Sequence, residues 1–391
     1  MTGKVKRRLA IVASHVIQYQ DPFFRALAAD PAVDVTVFYC SRAGAEVYRD
    51  ADMQTSLKWD IELLEGYRHT FLRNLGRGDG YARLVNPGVV PAIARGQFDA
   101  VLFFLGWGTI TSLFGIAACR ITGTPFLLYG DSSFPPPAAT WRARLRVTFI
   151  RAVFKLASGF MTSGVLNAAY YQHYGADPRR LFLLPWAIDN ERFANASRFA
   201  PGEREAMRAR FGIAPEQIAF VFSAKLVARK DPMTLLRAVA RMQHRHRAVV
   251  VFLGHGELRE PLEAFAREHA LQVRFAGFVN QADLPKHYAM SDVFVLPSTY
   301  EPRGAVINEA MACGLPVVVT DRCGSLGDIV VEGDNAFVYP AGDDAALAHA
   351  LDALMDDDLR ARMAQRSREI IAEWDYARGV EGVKAALEAV T

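Results

Sequence analysis

Two short apolar runs separated by a helix-forming stretch constrain this chain most. Val293-Phe294-Val295-Leu296, opened by Asp292 and closed by Pro297, has the length and composition of a strand buried on both faces. Val317-Val318-Val319 is the next such run. The segment between them, Tyr300 to Pro316, loops out at a strand's C-terminal end and winds into a helix. In open α/β sheets ligands bind at that edge. Gly304 allows a close backbone approach. The N–H groups of Gly304, Ala305 and Val306 then point outward at a helix N-terminus, a seat for phosphate oxygens. Glu301 stands at the mouth, and Glu309 lies about two helical turns deeper. Carboxylates repel phosphate but accept hydrogen bonds from sugar hydroxyls, so the pair suits a ligand carrying both groups.

The same strand–helix alternation runs through the chain. In the first half, Arg7–Ala13, Val33–Tyr39, 99–105, 125–129, 159–162 and 181–184 are strand-like, with helical spacing over 18–30, 91–95, 110–120 and 167–174. In the second half, 218–223, 249–253, 273–275, 293–296, 317–319 and 337–339 alternate with helical stretches. This pattern predicts an α/β protein with two Rossmann-like parallel-sheet domains. At 391 residues the chain exceeds one typical core. Charged, Pro/Gly-punctuated sequence over 194–217 reads as a link between an N-terminal domain at 1–195 and a C-terminal domain at 196–372, and a last helix starts at Glu373-Trp374-Asp375-Tyr376 and fills 373–391.

Bulk chemistry excludes several classes. A net charge of +3 does not argue for nucleic acid. Cys40, Cys119, Cys313 and Cys323 show no metal-ligand spacing and suit reduced thiols in a cytoplasmic protein. No Asp/Glu/His cluster suggests a metal, and no cofactor is expected beyond a bound co-substrate. Gly76-x-Gly78-x-Gly80 follows no clear strand, which argues against a dinucleotide fingerprint. Asp50-x-Asp52, a metal-binding pattern in other folds, reads as a solvated loop. Lys225 and Lys230 follow the strand 218–223 at the same sheet edge as Gly304, where two cations neutralise a diphosphate.

The Pro297-Ser298 lead-in, the Glu301-Pro302-x-Gly304 mouth and the exit Asn308-Glu309-Ala310-Met311-Ala312-Cys313-Gly314-Leu315-Pro316 together resemble the retaining glycosyltransferases of family 4, which have the GT-B fold, two Rossmann-like domains facing across a cleft. The resemblance is strong over 218–378 and a matter of layout over 1–180. It implies transfer of a sugar from a nucleotide diphosphate sugar to an acceptor hydroxyl, with retention and without a metal. The donor nucleotide is uridine, guanosine or thymidine diphosphate, and the acceptor a small molecule or a lipid-linked glycan. By resemblance Glu301 holds the donor sugar and Glu309 the ribose. The amides of Gly304, Ala305 and Val306, with Lys225 and Lys230, hold the diphosphate, and Gly277, Phe278 and Val279 form the nucleobase edge. Arg303 departs from the aromatic or apolar residue usual in the family. A GT-B isomerase, such as a sugar-nucleotide 2-epimerase, and a non-catalytic nucleotide-sugar binding protein are the alternatives.

Family members present a histidine from the N-terminal domain near the reacting carbon. This chain has none between His69 and His173, and the matching loop reads Tyr129-Gly130-Asp131-Ser132-Ser133. Asp131 is therefore the candidate polar group there, and its alternative role is to cap the following turn. His15, at the end of the first strand, is the second candidate. His255 reads as a loop histidine. Residues 140–156 carry Arg142, Arg144, Arg146, Arg151 and Lys155 and no acid. Helical spacing puts Arg144, Thr148, Arg151 and Lys155 on one face and Leu145, Phe149, Ile150, Val153 and Leu156 on the other. Two readings stay open: peripheral attachment to the inner membrane face, or a packed helix with buried apolar residues and a solvated basic face.

Overall fold

The structure is a computed structural model that describes residues 6–46, 48–50, 55–57, 59–78, 80–131 and 140–391. Asp52, Ser132, Ser133 and the prolines at 135–137 lie outside them. Contacts divide the chain into two units. Met1–Tyr48, Glu62–Ala187 and Asp375–Thr391 form unit 1, and Arg49–Ile61 with Ile188–Trp374 form unit 2. Residue 195, where composition suggests a boundary, lies inside the helix Asn190–Ala196 of unit 2. The helix Tyr376–Val390 belongs to unit 1.

The strands in chain order are β1 (Arg7–Ala13), β2 (Val33–Tyr39), β3 (Tyr48–Asp50), β4 (Thr55–Leu57), β5 (Arg68–Phe71), β6 (Ala100–Phe103), β7 (Phe126–Tyr129), β8 (Gly159–Thr162), β9 (Leu181–Leu183), β10 (Ile218–Ser223), β11 (Ala248–Leu253), β12 (Gln272–Gly277), β13 (Val293–Leu296), β14 (Val317–Thr320) and β15 (Ala336–Tyr339). Unit 1 has a seven-stranded sheet of order β5-β2-β1-β6-β7-β8-β9, and unit 2 a six-stranded sheet of order β12-β11-β10-β13-β14-β15. The pairs in both sheets are parallel. Central strands such as β10, β11, β13 and β14 are buried along their whole length, as continuous Val/Phe/Ala runs must be when helices cover both faces. In unit 1 the helices 89–96, 110–122, 141–156 and 165–173 share one core with one face of the sheet. The helices 21–29 and 376–390 cover the other.

Both sheets have the doubly wound order, and the direction of winding reverses between β1 and β6 and between β10 and β13. At such a switch point the loops leaving neighbouring strands diverge and leave a crevice. Two local expectations are corrected. The strand β5 does precede the glycine run 76–80, but a three-residue turn of 3₁₀ helix follows, so no α-helix N-terminus faces those glycines. Asp50 ends a short strand rather than sitting in a free loop. Residues 324–330, after β14, form turns and an isolated bridge, Leu326 with Val330.

Candidate active site

The switch point of unit 2 lies between the loop after β10, residues 224–231, and the loop after β13, residues 297–304. The second loop is pinned by its backbone. Thr299 N–H donates to Arg229 O (3.0 Å), Glu301 N–H to Arg322 O (3.1 Å) and Gly324 N–H to Glu301 O (2.8 Å). A Cβ on Gly324 would sit 1.7 Å from Pro302 O, so only glycine permits this approach. Gly304 takes the left-handed conformation, φ 72°, and opens the helix Ala305–Ala312 with no side-chain cap on its first amides.

Here the structure brings Glu301 and Lys230 together. The Lys230 ammonium donates to Glu301 Oε2, and Ser298 Oγ lies 3.5 Å from the same oxygen. Glu301 is buried, and the Lys230 side chain is only 12% exposed. A buried pair of this kind holds each partner in one geometry, because separating them leaves an uncompensated charge. Lys225 lies on the same loop as Lys230, half-buried. Arg303, the residue that departs from the family pattern, points away from this cluster. Its guanidinium donates to Asp328 Oδ2 (2.7 Å) and Gly324 O (2.8 Å), with 3% and 1% of the two side chains exposed. Arg303 thus ties the 298–304 loop to the turn at 324–328.

Glu309 is fully buried. Tyr288 Oη donates to Glu309 Oε2 at 2.9 Å. Burial pushes the carboxyl up from 4.5 to about 7, against the lowering effect of hydrogen bonds from Tyr288 and Gln281 and of the nearby Arg192 charge. Gln281 is itself fixed by Arg192, which donates to its side-chain oxygen (2.7 Å) and its carbonyl (2.9 Å). Gly277 has φ 76°, and a Cβ there would meet the His255 ring at 3.1 Å. Phe278 meets Trp59 with ring centroids 6.4 Å apart, and the Asp60 carboxylate accepts from Ala282 N–H at 3.2 Å.

The switch point of unit 1 is different in kind. Tyr19, Gln20, Phe23, Phe104, Tyr129, Leu184, Pro185, Trp186, Ala187 and Tyr376 line a shallow, open pocket at the carboxyl ends of β1, β6, β7 and β9. Tyr19 meets Trp186 at 5.3 Å, Phe104 meets Tyr129 at 4.4 Å, and Tyr129 stacks on Trp186 at 6.3 Å. Tyr376 Oη donates to Tyr19 O at 2.8 Å. His15 follows β1, with Nδ1 3.0 Å from Ser14 Oγ. Asp131 is exposed after β7. Its charge helps to raise the phenol pKa of Tyr81 and of Tyr171, after the larger effect of burial. The two candidates follow strands that are separated by β6.

The sequence reading missed Tyr288, Gln281, Arg192, Asp328, Trp59 and the aromatic pocket. Each lies in a different segment from the residue it serves, so no local spacing could reveal it. Among the described residues no group of three or more His, Cys, Asp or Glu is placed to hold a metal ion.

Comparison with known proteins places this geometry. The two doubly wound units are the GT-B fold. An Anabaena protein, HepE, solved in complex with UDP, superposes with a TM-score of 0.74 at 19% identity, over 98% of this chain and 100% of that one. Residues 203–370 match the family model of glycosyl transferases group 1. An uncharacterized glycosyltransferase of Methanocaldococcus jannaschii is 36% identical over 157 residues, 40% of this chain and 40% of that protein. A D-inositol 3-phosphate glycosyltransferase of Geodermatophilus obscurus is 33% identical over 229 residues, 56% of this chain and 49% of that protein. The chain thus spans about half or less of these curated relatives.

Proposed function

We propose that this protein is a retaining, metal-independent glycosyltransferase of family 4 that moves a sugar from a nucleotide diphosphate sugar to an acceptor hydroxyl. The observation that carries the reading is the buried Lys230–Glu301 pair beside the uncapped helix start at Gly304, inside the segment that matches the glycosyl transferases group 1 model. Lys225, Lys230 and the amides of Gly304, Ala305 and Val306 take the diphosphate. That arrangement stabilises the charge that develops on the leaving group. Glu301 accepts from hydroxyls of the donor sugar, held by Lys230 in the orientation that needs. Glu309 accepts from the ribose, and Gly277, Phe278 and Val279 meet the base. Complexes of the Anabaena neighbour with UDP and with UDP-glucose support a nucleotide-sugar donor.

Acceptor binding falls to unit 1, with Asp131 and His15 as its polar groups and the aromatic pocket offering ring faces to a sugar or an apolar aglycone. The acceptor is a small molecule or a lipid-linked glycan. The free cysteines suit the cytoplasm. Purified protein is screened for turnover of UDP-, GDP- and TDP-sugars in the presence of EDTA. Release of a nucleoside diphosphate that rises with added acceptor supports transfer. A new sugar epimer points to an isomerase, and binding without turnover to a nucleotide-sugar sensor. A strict need for Mg²⁺ or Mn²⁺ overturns the part given to Lys225 and Lys230.

A further inference from the structure

The helix Trp141–Leu156 packs on unit 1 with a narrower face than its sequence suggests. Only Ile150, Val153 and Phe154 are buried. Leu145, Phe149 and Leu156, which the apolar-face reading would bury, are exposed, and so is Trp141; the fractions are 66% for Trp141 and 59% for Leu145. At 100° per residue Trp141, Leu145, Phe149, Ala152 and Leu156 fall within an arc of roughly 80° that faces solvent. Arg144, Arg151 and Lys155 border this row on one side, Arg142 and Arg146 on the other, and all five are exposed.

The neighbouring helix Ile110–Thr122 shares the same core and so covers the same face of the sheet. It repeats the pattern: Ile110, Leu113, Phe114 and Ile121 are exposed, Ile121 by 84%. Trp107, in the turn before it, meets Phe149 at 6.1 Å and so joins the two rows. Single exposed apolar side chains are ordinary, but two adjoining rows on one face mark an interaction surface. Its charge is one-sided. Between Asp99 and Asp177 the chain has a single acidic residue, Asp131, against Arg120 and the five cations of the second helix.

We propose that this face docks on an anionic lipid surface, the rows Trp141–Leu145–Phe149 and Ile110–Phe114–Ile121 entering the headgroup boundary. The flanking arginines and Lys155 then lie over lipid phosphates, their aliphatic stems along the apolar row. Tryptophan is favoured at that depth. A second copy of the chain is the poorer occupant, because it would set the same cations against each other. The surface belongs to unit 1, the residues given to the donor belong to unit 2, and the proposal does not depend on the transferase reading.

The test is flotation of the full-length protein with phosphatidylcholine vesicles, with and without phosphatidylglycerol, at low and high salt. The structure predicts binding to the anionic vesicles that salt weakens. It predicts a loss of at least about 100-fold in partitioning for the Arg144→Glu, Arg151→Glu, Lys155→Glu variant. The Trp141→Ser, Leu145→Ser, Phe149→Ser variant should lose the binding that survives high salt, while its melting temperature matches wild type. Wild type left unbound with anionic vesicles overturns the proposal, as does serine-variant binding equal to wild type. A dimer that the serine variant abolishes, without vesicle binding, assigns the surface to a second copy instead.

Discussion

The two switch points occupy equivalent places in two sheets of the same winding, yet they are built from opposite materials. In unit 2 the edge is built from polar side chains that hold one another: Lys230 on Glu301, Arg303 on Asp328, Tyr288 on Glu309. In unit 1 it is lined by rings, with Tyr19, Trp186, Tyr129 and Phe104 each meeting the next in a chain. Strand order sets where a ligand can sit and says nothing of which ligand. The side chains choose. A matched polar edge suits phosphates and hydroxyls whose positions must be fixed. A ring-lined edge suits the faces of sugars or an apolar aglycone.

The largest effect expected at the polar edge is on folding. Arg303→Met takes the guanidinium from a buried carboxylate and should cost about 3–5 kcal/mol, read from denaturant midpoints. Adding Asp328→Asn should recover much of it. A loss below about 1 kcal/mol would mean that the pair does not hold this edge together. Lys230→Ala comes next. It should lower kcat by roughly 10²–10³-fold, because the leaving diphosphate loses a cation and Glu301 loses its orientation. Glu301→Ala should likewise act mainly on turnover, since contacts to the migrating sugar strengthen as the reaction proceeds. A change confined to KM would remove both residues from the chemistry.

A smaller effect comes from Glu309. Its carboxyl titrates at about 7 in the folded protein against 4.5 ordinarily. Folding therefore favours the protonated form. The stability this gives is complete below 4.5 and is lost as pH rises through 7, a difference of about 3 kcal/mol. Glu309→Gln should abolish that slope and make the protein the more stable of the two at pH 8. Urea unfolding across the range checks it, and an unchanged slope would contradict the burial argument. The smallest effect tests the contrast itself. Tyr19→Leu at the ring-lined edge should leave nucleotide affinity within about twofold while raising KM for the acceptor. A large loss of nucleotide binding would show that the two edges do not divide the work as their chemistry suggests.

What the sequence reveals follows the same division. Glu301, Gly304 and Glu309 lie on one strand–loop–helix unit, so their spacing is written in adjacent residues. Lys230 is legible because it follows a strand that must lie beside β13. The partners of these residues are not legible. Tyr288 reaches Glu309 from another helix, Arg192 comes from before the sheet begins, and Asp328 meets Arg303 only because the chain turns back after β14. The aromatic edge gathers rings from residues 19, 104, 129, 186 and 376, and no motif spans such separations. The helix 141–156 shows a further limit. Helical spacing separates its faces, but which face is buried depends on how much sheet is left to cover, and here three side chains suffice.

The central claim is that unit 2 is a nucleotide diphosphate site in which Glu309 meets the ribose. Calorimetric titration with UDP, GDP and TDP at pH 8 in EDTA, where wild-type Glu309 is ionised, tests it most directly. The account predicts that wild type binds at least one of the three and that Glu309→Ala binds it roughly 10–100-fold more weakly, as expected for lost hydrogen bonds to a charged acceptor. Equal affinity for the two proteins would contradict it.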